Sequence, residues 1–81
     1  MIDVQKACEI ATAKRHEPFV TAVIDVGRGY VVDTTPEIGV ELETAPVFVD
    51  KKTGETSAYF IPTHWKEFKQ GKICEIPAEF R

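Results

Sequence analysis

The stretch Phe19-Val20-Thr21-Ala22-Val23-Ile24-Asp25-Val26, followed by Gly27-Arg28-Gly29 and then Tyr30-Val31-Val32-Asp33, decides the fold class. Successive side chains of a strand point to opposite faces. Val20, Ala22, Ile24 and Val26 therefore share one apolar face, and Phe19, Thr21, Val23 and Asp25 share a mixed one. Glycine supplies the positive φ of a tight turn, so the Gly27-Arg28-Gly29 triplet turns the chain into a return strand. The reading is an antiparallel hairpin with one face on a core.

Composition agrees. The chain has nine Val and seven Ile but one Leu, Leu42. β-branched side chains suit a pleated surface, whereas a helical bundle would normally be rich in Leu. With 81 residues, 43% hydrophobic and 28% charged, the chain has material for one domain over 1–81. A domain this short gains from self-association, and an exposed edge strand offers a route to a homodimer.

Upstream of the hairpin, residues 3–15 are predicted to be helical. Asp3 is placed to cap the first turn. Val4, Ala7, Cys8 and Ala11 fall on one face. Lys14, Arg15 and His16 suit the negative end of the helix dipole, and Pro18 prevents continuation.

Downstream, Ile38, Val40 and Leu42 alternate with Gly39, Glu41 and Glu43, the pattern of a half-exposed strand. Val47-Phe48-Val49 is a further strand. In Asp50-Lys51-Lys52-Thr53-Gly54-Glu55 the aspartate can bond nearby amides and Gly54 can sit left-handed, which makes a hairpin turn. Thr56 to Ile61 is the partner strand. Thr63 is placed to cap a short helical turn carrying Trp65 and Phe68, which Gly71 ends. Ile73 to Ile76 supplies an edge strand before Pro77. The expected fold is α+β: an N-terminal helix packed on a four- to five-stranded antiparallel sheet, with a short C-terminal helical turn.

No cofactor, metal or catalytic motif is expected. Gly27-x-Gly29 lacks the third glycine of a dinucleotide fingerprint, since position 32 is Val. The 50–55 turn is half an EF-hand loop, and Lys51 and Lys52 would repel a cation. Cys8, Cys74, His16 and His64 lack local ligand spacing, and Cys8 lies on the core face of its helix, where a thiol stays protonated. The carboxylate pairs, Glu41 with Glu43 and Asp25 with Asp33 across the first hairpin, are expected to face water. The sequence therefore does not read as an enzyme.

Charge is unevenly spread. Residues 18–50 carry a net −5, residues 51–72 a net +3, and the whole chain −3. Phosphate binding needs a basic surface, so nucleic acid is not the expected partner. A basic protein is. No run approaches the length of a membrane span, the two cysteines are unpaired in the sequence, and the opening residues do not form a signal peptide, so a cytoplasmic location is expected. Tyr59, Phe60, Trp65 and Phe68 form an aromatic cluster with two open readings. It is either a satellite core or a partner-binding patch.

The segment Ala45-Pro46-Val47-Phe48-Val49-Asp50-Lys51-Lys52-Thr53-Gly54-Glu55 resembles the most recognisable part of the YrhB-like immunity protein family (immunity protein 35). There an Ala-Pro pair leads into an apolar strand, then Asp-Lys-x-[Ser/Thr]-Gly-Glu and a return strand. Members are encoded beside bacterial polymorphic toxins. The resemblance implies an α+β fold and a toxin inhibitor acting by direct protein–protein binding. Glu37, Glu41 and Glu43 are then the candidate contacts to basic residues around the toxin's site, with Tyr59 and Trp65 as aromatic anchors. The alternative is a small chaperone-like or assembly module.

Overall fold

The computed structural model describes residues 1–37 and 45–81. The predicted strand through Ile38, Val40 and Leu42, and with it Glu41 and Glu43, lies outside the described residues. Helix α1 (Val4–Arg15) leads to β1 (Phe19–Asp25) and β2 (Gly29–Thr35), then β3 (Val47–Asp50) and β4 (Thr56–Ala58). Helix α2 (Trp65–Lys69), β5 (Lys72–Ile73) and a 3₁₀ turn (Ala78–Phe80) complete the chain. The strands form a five-stranded sheet in the order β4-β3-β2-β1-β5, with every pairing antiparallel. This is the expected α+β arrangement of an N-terminal helix on an antiparallel sheet.

α1 starts as its sequence predicts. Asp3 is extended, and its carboxylate accepts from the Lys6 amide at 2.9 Å. Ala7, Cys8 and Ala11 are fully buried. The helix ends at His16, a non-glycine residue in the left-handed region (φ 55°), two residues before Pro18. No helix among the described residues is long and apolar enough to cross a membrane.

β1 departs from simple alternation. Its register with β2 shifts between Val20 and Ala22. The bulge inserts one residue, so the faces exchange beyond it. Val20 and Val23, not Val20 and Ala22, join the core under α1, together with Tyr30, Val32, Val47 and Val49. Ile24 and Val26 turn to the opposite face. The expectation that Val20, Ala22, Ile24 and Val26 share a face is corrected for that reason. Asp25 and Asp33 also do not meet: Asp25 lies opposite Tyr30, and Asp33 opposite Ala22.

Both faces of the sheet are covered. α1 and Phe80 of the 3₁₀ turn close the first face, the latter beyond the last predicted element. On the second, Val31, Phe48 and Tyr59 form a separate core with Ile24, Val26, Ile61 and Phe68. β4 and β5 are opposite edges, so residues 59–71 must cross the sheet to join them. That crossing leaves β4 at Ala58, three residues earlier than expected, where the Tyr59 amide donates to the Pro46 carbonyl at 2.9 Å.

The turns behave as read. Gly27 and Gly54 have positive φ. The Asp50 carboxylate accepts from the Lys52 and Thr53 amides at 2.8 and 3.0 Å. Gly29 serves a close approach instead. A Cβ there would stand 2.4 Å from Phe48 Cζ and 2.5 Å from the Val49 carbonyl oxygen.

Candidate functional site

The crossing segment carries the most elaborate side-chain network among the described residues. Phe48 lies in β3, opposite Val31, so its ring stands on the second face. The Arg28 guanidinium, from the β1–β2 turn, sits over this ring at 4.3 Å. Tyr59 stacks on Phe48 at 5.9 Å and on His64 at 4.8 Å, and tilts against Phe68 at 6.2 Å between centroids. Arg28 then reaches Glu67 of α2 through two bonds, Nε to Oε2 at 2.7 Å and the terminal nitrogen to Oε1 at 3.0 Å. The Tyr59 hydroxyl donates to the same Oε1 at 2.8 Å.

The electrostatics follow from this wiring. The bidentate bond from Arg28, reinforced by the Tyr59 hydroxyl, holds the Glu67 carboxyl below the usual carboxylate range. Burial, with the bond to Glu67, pushes the Tyr59 phenol up to about 12. The tyrosine is thus a fixed neutral donor at ordinary pH. The network locks α2 to the hairpin turn and to β3.

The aromatic cluster of the sequence is divided by the fold. Tyr59 is 1% exposed and Phe68 half-buried, so both are core. Phe60 is 62% and Trp65 55% exposed. Neither sequence reading holds for the whole cluster. Tyr59 reaches no solvent and supports a surface from beneath, because its ring is needed to join Phe48 to α2. Trp65 rests one face near Phe68, with centroids 6.4 Å apart, and leaves the rest outside.

Glu37 lies elsewhere. It is exposed two residues past β2, where its amide donates to Thr35 Oγ1 at 3.3 Å and its carbonyl accepts from that hydroxyl at 2.8 Å. β2 separates it from Arg28 by roughly 20 Å, at about 3.3 Å per residue. Glu37 and the Glu67 end of α2 therefore do not form one patch. Two other carboxylates lie near the same end of β2 as Glu37, Glu17 and Asp33, with the Arg15 cation beside Asp33. Thr34 Oγ1 donates to Glu17 Oε1 at 2.7 Å, and Asp33 is half-buried in the same strand. Burial raises the Asp33 carboxyl, and a bond from the Thr21 side chain, then the nearby Arg15, offset part of that shift.

At the opposite end of the hairpin Asp25 is paired. Lys51 Nζ donates to its Oδ1 at 2.8 Å and lies 5.0 Å from the Tyr30 ring centroid. That bond lowers the Asp25 carboxyl and raises the Lys51 ammonium. Cys8 is fully buried, and desolvation pushes its thiol up to about 11. Among the described residues, no three His, Cys, Asp or Glu side chains are grouped to hold a metal ion.

The sequence reading counts Lys66 and Lys69 only within the net +3 of residues 51–72 and places no site on them. It also has no means of pairing Arg28 with Glu67, 39 positions away.

No family model, curated protein or solved structure matches this chain.

Proposed function

We propose that this chain is an immunity-type binding protein, one that neutralises a bacterial toxin by direct protein–protein contact and carries out no reaction itself. The observation that supports this reading is that Glu17 (bonded to Thr34), Asp33 and Glu37 all lie at or just past the end of β2, where Arg15 balances only part of their charge. This end leads directly into the stretch that holds Glu41 and Glu43 in the sequence. The Thr34 and Thr35 hydroxyls fix the backbone and the Glu17 carboxylate there. An acidic surface of this kind speeds encounter with a positive target and fixes its register. The partner it fits is a basic protein, and occlusion of the toxin's site needs no chemistry from the inhibitor. The resemblance of residues 45–55 to the YrhB-like immunity proteins points the same way. The two cysteines are free thiols, which suits action in the cytoplasm.

The test is affinity recovery of the tagged protein from its native lysate, with mass spectrometry and gel filtration of the complex. One stoichiometric basic partner encoded beside this chain is expected. A variant combining Glu37→Lys, Glu41→Lys and Glu43→Lys should lose it and lose protection of growth. Recovery of no basic partner would sink the reading. A broad set of unfolded clients would instead favour a chaperone-like or assembly module, a reading that the exposed Phe60, Trp65 and Ile73 support.

A further inference from the structure

α2 presents an outer face whose chemistry is opposite to that of the acidic end. His64, Glu67, Phe68 and Gly71 are half-buried and face the sheet: His64 and Phe68 against Tyr59, Glu67 against Arg28, Gly71 against Ile24. Trp65, Lys66, Lys69 and Gln70 are exposed. Positions spaced by three or four share a helix side, as 65 with 69 and 66 with 69 and 70 do, so these four form a single outward face.

That face carries uncompensated positive charge. Glu67 is the only carboxylate between residues 60 and 74, and Arg28 already neutralises it. No ion pair between described residues includes Lys66, Lys69 or Lys72. Beside the indole runs a shallow open concavity of about 500 Å³, lined by Pro62, Thr63, His64, Trp65, Lys66 and Glu67. The face is also held in place before any partner arrives, because the bidentate Arg28–Glu67 pair and the buried Tyr59 fix the helix. Such preorganisation lowers the entropic cost of docking.

We propose that the outer face of α2 docks an acidic segment of a protein partner, with an apolar side chain against Trp65 in the concavity and carboxylates on Lys66 and Lys69. Charge complementarity selects the occupant. Fields at physiological salt fade over about 8 Å, so a short acidic segment responds to the local lysines and not to the distant acidic end. A long polyanion or an anionic membrane meets the whole molecule, whose net charge is −3. This inference is independent of the toxin-binding reading, since it uses another surface and a partner of opposite charge.

Trp65 is the chain's one tryptophan, so its fluorescence reports on this face alone. The full chain is titrated with a synthetic peptide of alternating Glu and Leu, with its Lys-for-Glu counterpart, with oligodeoxythymidine and with phosphatidylglycerol vesicles. The Glu-Leu peptide should give a saturable blue shift that weakens with added salt. A double variant, Lys66→Glu with Lys69→Glu, should weaken binding about ten-fold, the size expected for two exposed charge contacts. Both lysines point away from the sheet, and circular dichroism checks that the variant is folded. No saturable shift, an equal response to the Lys-Leu peptide, or tighter binding to the oligonucleotide or the vesicles would overturn the proposal.

Discussion

The Tyr59 hydroxyl donates to Glu67 Oε1 at 2.8 Å while Arg28 grips both oxygens of the same carboxylate. One buried phenol thus ties the second core to the crossing segment. Replacing Tyr59 with Phe keeps the ring stack and removes only the hydroxyl. The expected loss is about 1.5–3 kcal/mol in chemical denaturation, as for a hydrogen bond to a charged group. The variant should also loosen α2, and amide exchange at residues 65–69 should rise more than exchange in β2. Equal protection in both places would show that the hydroxyl does not hold the helix.

Two glycines are required by packing. At Gly29 a Cβ would meet Phe48 and the Val49 carbonyl, and at Gly71 it would stand 2.5 Å from Ile24 Cγ2. Gly29→Ala should cost about 1–3 kcal/mol, because a backbone oxygen cannot move aside. Thermal melting of both alanine variants measures this, with Gly29→Ala expected to be the more damaging. An unchanged melting temperature for Gly29→Ala would contradict the close approach.

The thiols should differ in reactivity. Cys8 is fully enclosed under α1 and its thiol is pushed up to about 11, whereas Cys74 is partly exposed. Iodoacetamide on the native protein should modify Cys74 first, and Cys8 only once the chain is unfolded. Mass spectrometry of the adducts decides the order; early modification of Cys8 would mean that the helix opens readily.

Stability should fall on the acid side. Asp25, held by Lys51, Glu67, held by Arg28, and Asp50, held by its own turn amides, all ionise more readily in the folded chain. Their contribution is present above the ordinary carboxylate range and is lost as pH falls through their lowered values. Asp33 works in the opposite direction, because burial raises it. Denaturation midpoints across acidic pH will follow the loss of the first three contributions, with Asp33 opposing them. Lys51→Met should flatten the profile.

On the alkaline side Cys8, raised to about 11, and Tyr59 both contribute, and Tyr59 is lost last. Its folded value of about 12 exceeds the ordinary 10, so its contribution is full below about pH 10 and is lost between about 10 and about 12. An ultraviolet titration of the folded protein should show phenolate appearing late. Tyr30 is also raised, by burial, so neither tyrosine is expected to ionise at the ordinary value.

Much of the fold was legible because its causes are local. The Asp3 cap, the positive φ of Gly27 and Gly54, and the Asp50 turn each depend on atoms within a few residues. So does the buried stripe of Ala7, Cys8 and Ala11. These features fix a helix, two hairpins and an antiparallel sheet. The candidate site was legible only in part. Trp65 and Glu37 are both exposed, but nothing in the sequence tells that they sit on separate surfaces.

Tertiary structure alone decided the rest. The bulge after Val20 sent Val23 inward, although alternation placed it on the mixed face. Tyr59 and Trp65, equal candidates by residue type, were separated into core and surface by the path of residues 59–71 across the sheet. The edge strand shortened to Lys72–Ile73, and Phe80 entered the core past the last expected element. The physical reason is common to all of these. Local hydrogen bonds and steric preferences act between near neighbours, whereas register, crossing and burial depend on partners such as Arg28 and Glu67 that meet only when distant segments pack.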